Sequence, residues 1–142
     1  MSNKSELDER YTLWGGALSV YTAKIRSYLI KKRIPYRELY PSSPEFGEHI
    51  VPTLGFFVIP VLETPEGKIV QDTSDIIDYL EVRHPDPCFI PSSPLQSVVA
   101  DLLCAYGSEG LNQPSMHYRW SFLDQHGDYI LSLIHISEPT RH

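Results

Sequence analysis

Between residues 10 and 86, apolar and polar positions fall into short blocks that have the spacing of strands and helices. Tyr11–Trp14 has the composition of a strand, and the Gly15-Gly16 pair that follows it predicts a turn. From Val20 to Arg33 the apolar residues recur at helical spacing, at Tyr21, Ile25, Tyr28 and Leu29. The pattern predicts an amphipathic helix with Ser19 as its N-cap.

Short extended runs follow the predicted helix and are separated by proline-rich connections. They predict three further strands, at Tyr36–Tyr40, Val58–Leu62 and Lys68–Val70. Pro60 lies inside the second of these runs, which favours an edge strand or a special start, because proline cannot donate to a sheet ladder. Thr64–Gly67 has the composition of a tight turn, so the last two strands form a hairpin. One or two helical turns are expected around Glu45–Ile50.

A second amphipathic helix is predicted to begin at Asp72–Asp75, where acidic and hydroxyl side chains suit a helix N-terminus. Its inner stripe is predicted to contain Ile76, Ile77, Leu80 and His84. Its solvated face is predicted to contain Asp75, Asp78 and Glu81. The helix is expected to end at His84-Pro85, before a linker at Cys88–Pro94 and a further helix at Leu95–Tyr106.

The predicted order is β-α-β-(α)-β-β-α, which is an α/β fold with a mixed four-stranded sheet. The strand–helix–strand unit implies a parallel pair with a right-handed crossover, and the hairpin adds two antiparallel strands. We expect a flexible segment at residues 1–9, the α/β domain at residues 10–86, and a linker with the start of a truncated all-helical domain at residues 87–130. One cluster of basic residues is interpreted as a solvated helix face and not as a nucleic-acid patch: Lys24, Arg26, Lys31, Lys32, Arg33 and Arg37.

Composition narrows the possible functions. The 142 residues carry a formal net charge of -6, which disfavours binding to nucleic acid or to an anionic membrane surface. No apolar run approaches the roughly 20 residues of a membrane helix, and the N-terminus lacks the apolar core of a secretory signal. Cys88 and Cys104 do not make a disulfide framework or a close-spaced metal motif. These features favour a cytoplasmic protein with reduced thiols and no metal.

Three segments together resemble the N-terminal thioredoxin-like domain of the glutathione S-transferase superfamily. They are Leu13–Arg26 with Ile34–Tyr36, Ile59–Leu62, and Gln71–Glu81. The resemblance covers residues 10 to 86 and is to serine-type members such as those of bacteria. The resemblance implies a co-substrate, glutathione, and a catalytic residue that stabilises its thiolate.

Ser19 falls where the serine-type members keep their catalytic residue. A hydroxyl can donate a hydrogen bond to sulfur, and a helix N-terminus adds positive potential. Val20 departs from the family pattern, since many members have proline there. The alternative is that Ser19 serves only as an N-cap. Ser19 and Thr22 also occupy the spacing of a C-x-x-C motif, and because neither is cysteine, dithiol exchange is excluded there.

The resemblance implies two further contacts with glutathione. Pro60 corresponds to the family's cis-proline, so the backbone of Ile59 would pair with the cysteinyl unit like an added strand. Asp72 and Thr73 match the positions that hold the γ-glutamyl group, where the family commonly has Glu-Ser or Gln-Ser. The alternatives are an ordinary trans proline in an edge strand and a simple helix cap.

The leading hypothesis is a glutathione transferase that conjugates the glutathione thiolate to a small electrophile, and the resemblance suggests a homodimer. The alternative is a non-catalytic interaction or assembly module of the same fold. A third possibility, a cysteine-based glutathione-dependent reductase or peroxidase, is disfavoured by serine at position 19. The segment Met116–Trp120 is interpreted as packing or a dimer contact, or as a wall of the second-substrate pocket.

The C-terminal part of the sequence carries one more expectation. Full members of the superfamily have a helical domain of well over 100 residues, so the second domain is expected to be truncated. Leu133–Arg141 resembles a translated sequencing-adapter string, and residues 131–142 are therefore interpreted as a non-native tail. We expect the 142-residue chain to be poorly soluble and to show weak turnover or none.

Overall fold

The structure, a computed structural model, describes residues 10–136, and side chains are described up to residue 129. It divides into two units, one that ends at Pro87 and one that covers Cys88–His135. The predicted flexible segment at residues 1–9 lies outside the described residues. Of the segment 131–142 that was interpreted as a foreign tail, the backbone is described as helix as far as Ile136, and residues 137–142 lie outside the described residues.

A four-stranded mixed sheet forms the centre of the first unit. Its strands are β1 (Tyr11–Trp14), β2 (Tyr36–Leu39), β3 (Val61–Glu63) and β4 (Ile69–Gln71). The strand order is β2-β1-β3-β4, in which β1 pairs in parallel with β2 and antiparallel with β3, and β3 pairs antiparallel with β4. The predicted mixed sheet of a β-α-β unit and a hairpin is confirmed.

Helix α1 (Val20–Lys32) makes the crossover between β1 and β2. Its N-cap is Ser19, as predicted, and the chain leaves the helix through Arg33, which has a left-handed φ of 58°. Ile25 and Leu29 are fully buried, because the predicted apolar stripe faces the sheet. They join the larger of two core clusters, which also contains Tyr11, Leu13, Ile34, Leu62, Ile76 and Leu80.

The connection between β2 and β3 holds more helix than was predicted. A π-helical turn at Phe46–Ile50 continues into a short helix, α2 (Val51–Leu54), which ends at Gly55. Phe46 and Ile50 are buried against Trp14 and Val61 in the second core cluster. The predicted strand start at Val58 was wrong: β3 begins at Val61, because Pro60 has no N–H to donate to a ladder.

Helix α3 (Thr73–Arg83) follows β4 and packs against α1. Ile76 and Leu80 are fully buried on its inner face, as predicted. The placement of Glu81 on the solvated face was wrong, since Glu81 is buried and pairs with Lys32 of α1. The interpretation of Lys32 as part of a solvated basic face was wrong for the same reason.

The second unit consists of helical segments. They are α4 (Pro94–Ala105), a π-helical turn (Tyr106–Gly110), α5 (Asn112–Trp120) and α6 (Leu123–Ile136). The α/β unit followed by this helical region is the predicted fold class. Within the described part of the chain, no helix is both long enough and apolar enough to cross a bilayer.

Candidate functional site

The register of the sheet brings the predicted site residues to one edge. Trp14 pairs with Val61, and Val61 pairs with Gln71 on the other side. Because both pairs are antiparallel, the residues after Trp14, before Val61 and after Gln71 all leave the sheet at the same end. The glycine turn before Ser19, the Ile59-Pro60 pair and the Asp72-Thr73 pair therefore meet at this edge.

The glycine turn is held closely against the first turn of α1. The N–H of Gly16 donates to Oγ1 of Thr22 at 3.4 Å, and the N–H of Ser19 donates to the carbonyl of Gly16 at 3.1 Å. A Cβ added to Gly15 would lie 2.3 Å from Cγ2 of Thr22, so this position has no room for a side chain. Gly15 therefore permits the close approach that presents Ser19 at the start of the helix.

The Ser19 hydroxyl accepts a hydrogen bond from the helix and remains able to donate one. Its Oγ accepts the N–H of Thr22 at 3.1 Å, which is the predicted N-cap bond. A hydroxyl has one hydrogen and two lone pairs, so the Ser19 O–H can still donate to another acceptor. The side chain is half-buried at the positive end of α1, where an anion is favoured.

The Ile59–Pro60 peptide bond is cis, as expected from the family resemblance. Pro60 is buried, whereas Ile59 is half-buried beside the glycine turn. The Cδ1 of Ile59 would be 3.8 Å from a Cβ at Gly16. Among the described residues, the backbone of Ile59 has no hydrogen-bond partner, so its N–H and C=O are open to a bound peptide.

Asp72 and Thr73 form the N-terminus of α3 with an unusual backbone. Asp72 has φ 75° and ψ 138°, and its Oδ1 accepts the N–H of Ser74 at 2.8 Å. Asp72 is exposed, whereas Thr73 is only 6% exposed. A non-glycine residue at positive φ is uncommon and is often found at a functional site.

Sequence reasoning missed one residue at this edge. The ammonium of Lys24 on α1 lies 3.4 Å from Oγ1 of Thr73 and donates a hydrogen bond to it. The sequence could have indicated that Lys24 lies near the buried face of α1, because Lys24 is three residues after Tyr21 and four before Tyr28. All three residues therefore share one side of α1, close to its buried stripe.

The other candidate residues lie elsewhere. Cys88 and Cys104 are exposed and form no disulfide, and no group of three potential metal ligands occurs in the described part of the chain. The segment Met116–Trp120 lies in α5, where the ring of Tyr118 stacks on Phe122 with a centroid distance of 5.9 Å.

The sheet order and the crossover helix define a thioredoxin-like domain followed by a helical region. The family model described as "Glutathione S-transferase, N-terminal domain" matches residues 13–88, which is more than half of the chain. The chain therefore belongs to the glutathione S-transferase family. A search of curated proteins finds no match.

Several solved structures share the fold. A glutathione S-transferase from Methylobacterium radiotolerans, in complex with glutathione sulfonate, is 28% identical with a TM-score of 0.54, over 65% of this chain and 43% of that chain. A glutathione S-transferase from Rhodospirillum rubrum is 23% identical with a TM-score of 0.63, over 72% of this chain and 47% of that chain. A glutathione transferase homologue from Sulfitobacter, with bound glutathione, is 15% identical with a TM-score of 0.62, over 79% of this chain and 57% of that chain. The chain spans about half the length of these structures.

Proposed function

We propose that this protein is a glutathione transferase that transfers the glutathione thiolate to a small electrophile. The observation that carries the proposal is the position of the Ser19 hydroxyl. It lies at the N-terminus of α1, at the same sheet edge as Ile59 and the Asp72-Thr73 pair. Family membership and the glutathione ligands of the similar structures support the choice of co-substrate.

The chemistry requires that the thiol ionise near neutral pH. A free thiol has a pKa of about 8.5, and lowering this by 2 units takes about 2.7 kcal/mol of selective stabilisation of the anion. A hydrogen bond to a charged group contributes about 1.5–3 kcal/mol. The Ser19 O–H and the positive end of α1 together supply stabilisation of the required size.

The other site residues would position the tripeptide. The open backbone of Ile59, before the buried Pro60, would pair with the cysteinyl unit as a strand pairs at a sheet edge. The Asp72 carboxylate would accept from the γ-glutamyl ammonium, and Thr73 with the first N–H groups of α3 would hold the γ-glutamyl carboxylate. The sulfur then attacks the electrophile, and a carbon–sulfur bond forms as the leaving group departs with its electron pair.

Titration calorimetry of the chain with reduced glutathione tests the proposal. We expect measurable binding by the native chain and by Ser19→Ala, because Ser19 acts on the sulfur while other groups hold the backbone. The ultraviolet absorbance of the bound thiolate should report a raised thiol pKa in Ser19→Ala. Ser19→Thr keeps a hydroxyl and is the matched control, with a pKa close to the native value.

Absence of glutathione binding by the native chain would overturn the proposal and favour the non-catalytic interaction module. An unchanged thiol pKa in Ser19→Ala would remove Ser19 from the mechanism and leave it as an N-cap. We also propose that the protein forms a homodimer and is located in the cytoplasm. Light scattering and cell fractionation test these two points directly.

A further inference from the structure

Lys24 is a cation that the thiolate chemistry does not use, yet it reaches the proposed γ-glutamyl site from another helix. Its Nζ donates to Oγ1 of Thr73 at 3.4 Å, across the packing between α1 and α3. Thr73 is the first residue of α3 and is almost fully buried. The contact therefore joins the helix that carries Ser19 to the helix that begins at the Asp72-Thr73 pair.

The direction of this hydrogen bond determines what the Thr73 hydroxyl can do. A lysine ammonium only donates, so Oγ1 of Thr73 must accept. The Thr73 hydrogen is then available to donate to a second acceptor. Inside a helix, a threonine hydroxyl often donates a hydrogen bond to the backbone carbonyl four residues earlier. Thr73 is the first residue of α3, so no such carbonyl precedes it in the helix. Lys24 thus leaves the Thr73 O–H as a donor at the helix start.

The charge of Lys24 has the sign that favours an anion at this point. The start of α3 already carries positive potential from its free N–H groups, and the ammonium adds to it. A cation at that end of a helix disfavours the empty state and favours the state with a bound carboxylate. Asp75 in the first turn partly balances this potential.

We propose that Lys24 is a positioning residue for the γ-glutamyl carboxylate of glutathione: it fixes Thr73 as a donor and adds positive potential at the start of α3. The proposal rests on the proposed function, because it concerns the same glutathione site. It assigns Lys24 to binding and leaves ionisation of the thiol to Ser19.

Titration calorimetry with two probes tests this role. The first is reduced glutathione, and the second is 4-aminobutyryl-cysteinyl-glycine, which lacks the γ-glutamyl carboxylate. Lys24→Met should weaken glutathione binding by about tenfold, which corresponds to ~1.4 kcal/mol, and Lys24→Arg should restore most of it. Lys31→Met removes the same charge from an exposed position of α1 and should bind glutathione like the native chain.

The analogue separates a binding role from a structural one. It should bind the native chain more weakly than glutathione does, and Lys24→Met should cause no further loss with it. If Lys24→Met weakens both ligands equally, Lys24 does not act on the carboxylate and the proposal is overturned. The same holds if Lys24→Met binds glutathione normally. Failure of the native chain to bind glutathione instead overturns the proposed function.

A cycle with Thr73 tests whether Lys24 acts through the hydroxyl. Thr73→Val keeps the shape of the buried side chain and removes the O–H. If Lys24 acts partly through Thr73, the double variant Lys24→Met/Thr73→Val should lose less glutathione affinity than the sum of the losses of the two single variants. Additive losses would overturn the positioning role. Thermal unfolding of each variant verifies that the first unit is folded during the titration.

Discussion

Lys32 and Glu81 form an ion pair of 2.8 Å between Nζ and Oε2, and their side chains are 0% and 6% exposed. The pair has further hydrogen bonds, since Lys32 also donates to the carbonyl of His84 and Tyr28 donates its O–H to Glu81. A buried charge without such partners would be strongly unfavourable. The pair therefore fixes the C-terminal end of α1 against the C-terminal end of α3.

Removal of one partner should destabilise the first unit far more than removal of both. Lys32→Met leaves the Glu81 carboxylate buried without its cation, so the free energy of unfolding should fall by about 3–5 kcal/mol. The double variant Lys32→Met/Glu81→Leu has no buried charge and should regain much of that loss. Urea denaturation followed by the fluorescence of Trp14, which lies in the same unit, measures both effects.

The Arg83–Glu66 pair is the control for this experiment, because both side chains are about half exposed. Glu66→Gln should leave the urea midpoint nearly unchanged, since exposed ion pairs contribute little. If Lys32→Met shifts the midpoint no more than Glu66→Gln does, the ion pair is not a determinant of stability.

The error over Glu81 shows where sequence patterns stop being informative. The apolar stripe of α3 correctly predicted that Ile76 and Leu80 are buried, because helical spacing places them on one face. The stripe contains no information about the neighbouring helix. Glu81 is buried because Lys32 reaches it from α1, and this match depends on the packing of two elements that are distant in sequence.

The candidate site was predictable to the extent that its residues act locally. The Ser19 cap and the helix start at Asp72-Thr73 follow from short-range rules for helix termini. The Lys24–Thr73 contact spans two helices and was missed. The helical turn at Phe46–Ile50 was predicted, but its continuation into α2 was not. Buried Phe46 and Ile50 hold this segment against the core, and that packing depends on residues distant in sequence.

The glycine turn should reject alanine at Gly15 and tolerate it at Gly16. A Cβ at Gly15 would lie 2.3 Å from Cγ2 and 2.6 Å from Oγ1 of the buried Thr22, whereas a Cβ at Gly16 would make only an ordinary contact of 3.8 Å with Ile59. Gly15→Ala should therefore destabilise the unit by about 1–3 kcal/mol, and Gly16→Ala should have little effect. Thermal unfolding measures the difference.

Thr22→Ala provides the second test of the clash at Gly15. It removes the two nearest of the three atoms that a Cβ would meet and leaves only Cβ of residue 22, at 3.0 Å. Gly15→Ala should therefore cause a smaller loss of stability in the Thr22→Ala background than in the native chain. Equal losses in the two backgrounds would contradict the assignment of the clash to Thr22.

Substitution of Asp72 should affect the melting temperature and the affinity for glutathione in different ways. Its φ of 75° suits glycine, and holding a non-glycine residue in a sparsely populated conformation takes about 1–3 kcal/mol. Asp72→Gly relieves this strain and loses little capping energy, so its melting temperature should equal or exceed the native value. Asp72→Ala keeps the strain and loses the cap, so it should melt lower. Both should bind glutathione more weakly, because each lacks the carboxylate proposed to hold the γ-glutamyl ammonium.

An Asp72→Gly variant with a clearly lower melting temperature would contradict the strain at Asp72. Asp72→Asn is the matched variant for binding, since it keeps a capping oxygen and removes the charge. If Asp72→Asn binds glutathione as tightly as the native chain, the carboxylate does not hold the ammonium.

The stability of the first unit should fall as the pH is lowered, because His84 resists protonation. Its Nε2 lies 2.9 Å from the hydroxyl of Tyr11. Burial, with the cations of Arg83 and Lys32, holds the pKa of His84 below its ordinary value of 6.5. Burial also raises the pKa of Tyr11, so its hydroxyl keeps its hydrogen and can donate it to Nε2 of the neutral imidazole when that nitrogen carries no proton. Protonation of His84 makes both ring nitrogens donors and places a charge in a half-buried position beside two cations.

The sign of the effect follows from proton uptake. Between the lowered pKa of His84 in the native state and 6.5, the unfolded chain binds more protons than the native chain, so the free energy of unfolding decreases as the pH falls through this range. Melting temperatures at about pH 7.5 and about pH 5.5 should therefore differ more in the native chain than in His84→Gln. His117→Gln removes an exposed imidazole from the second unit and should retain the native difference. If the melting temperature of His84→Gln depends on pH as strongly as that of the native chain, His84 does not contribute to the pH dependence of stability.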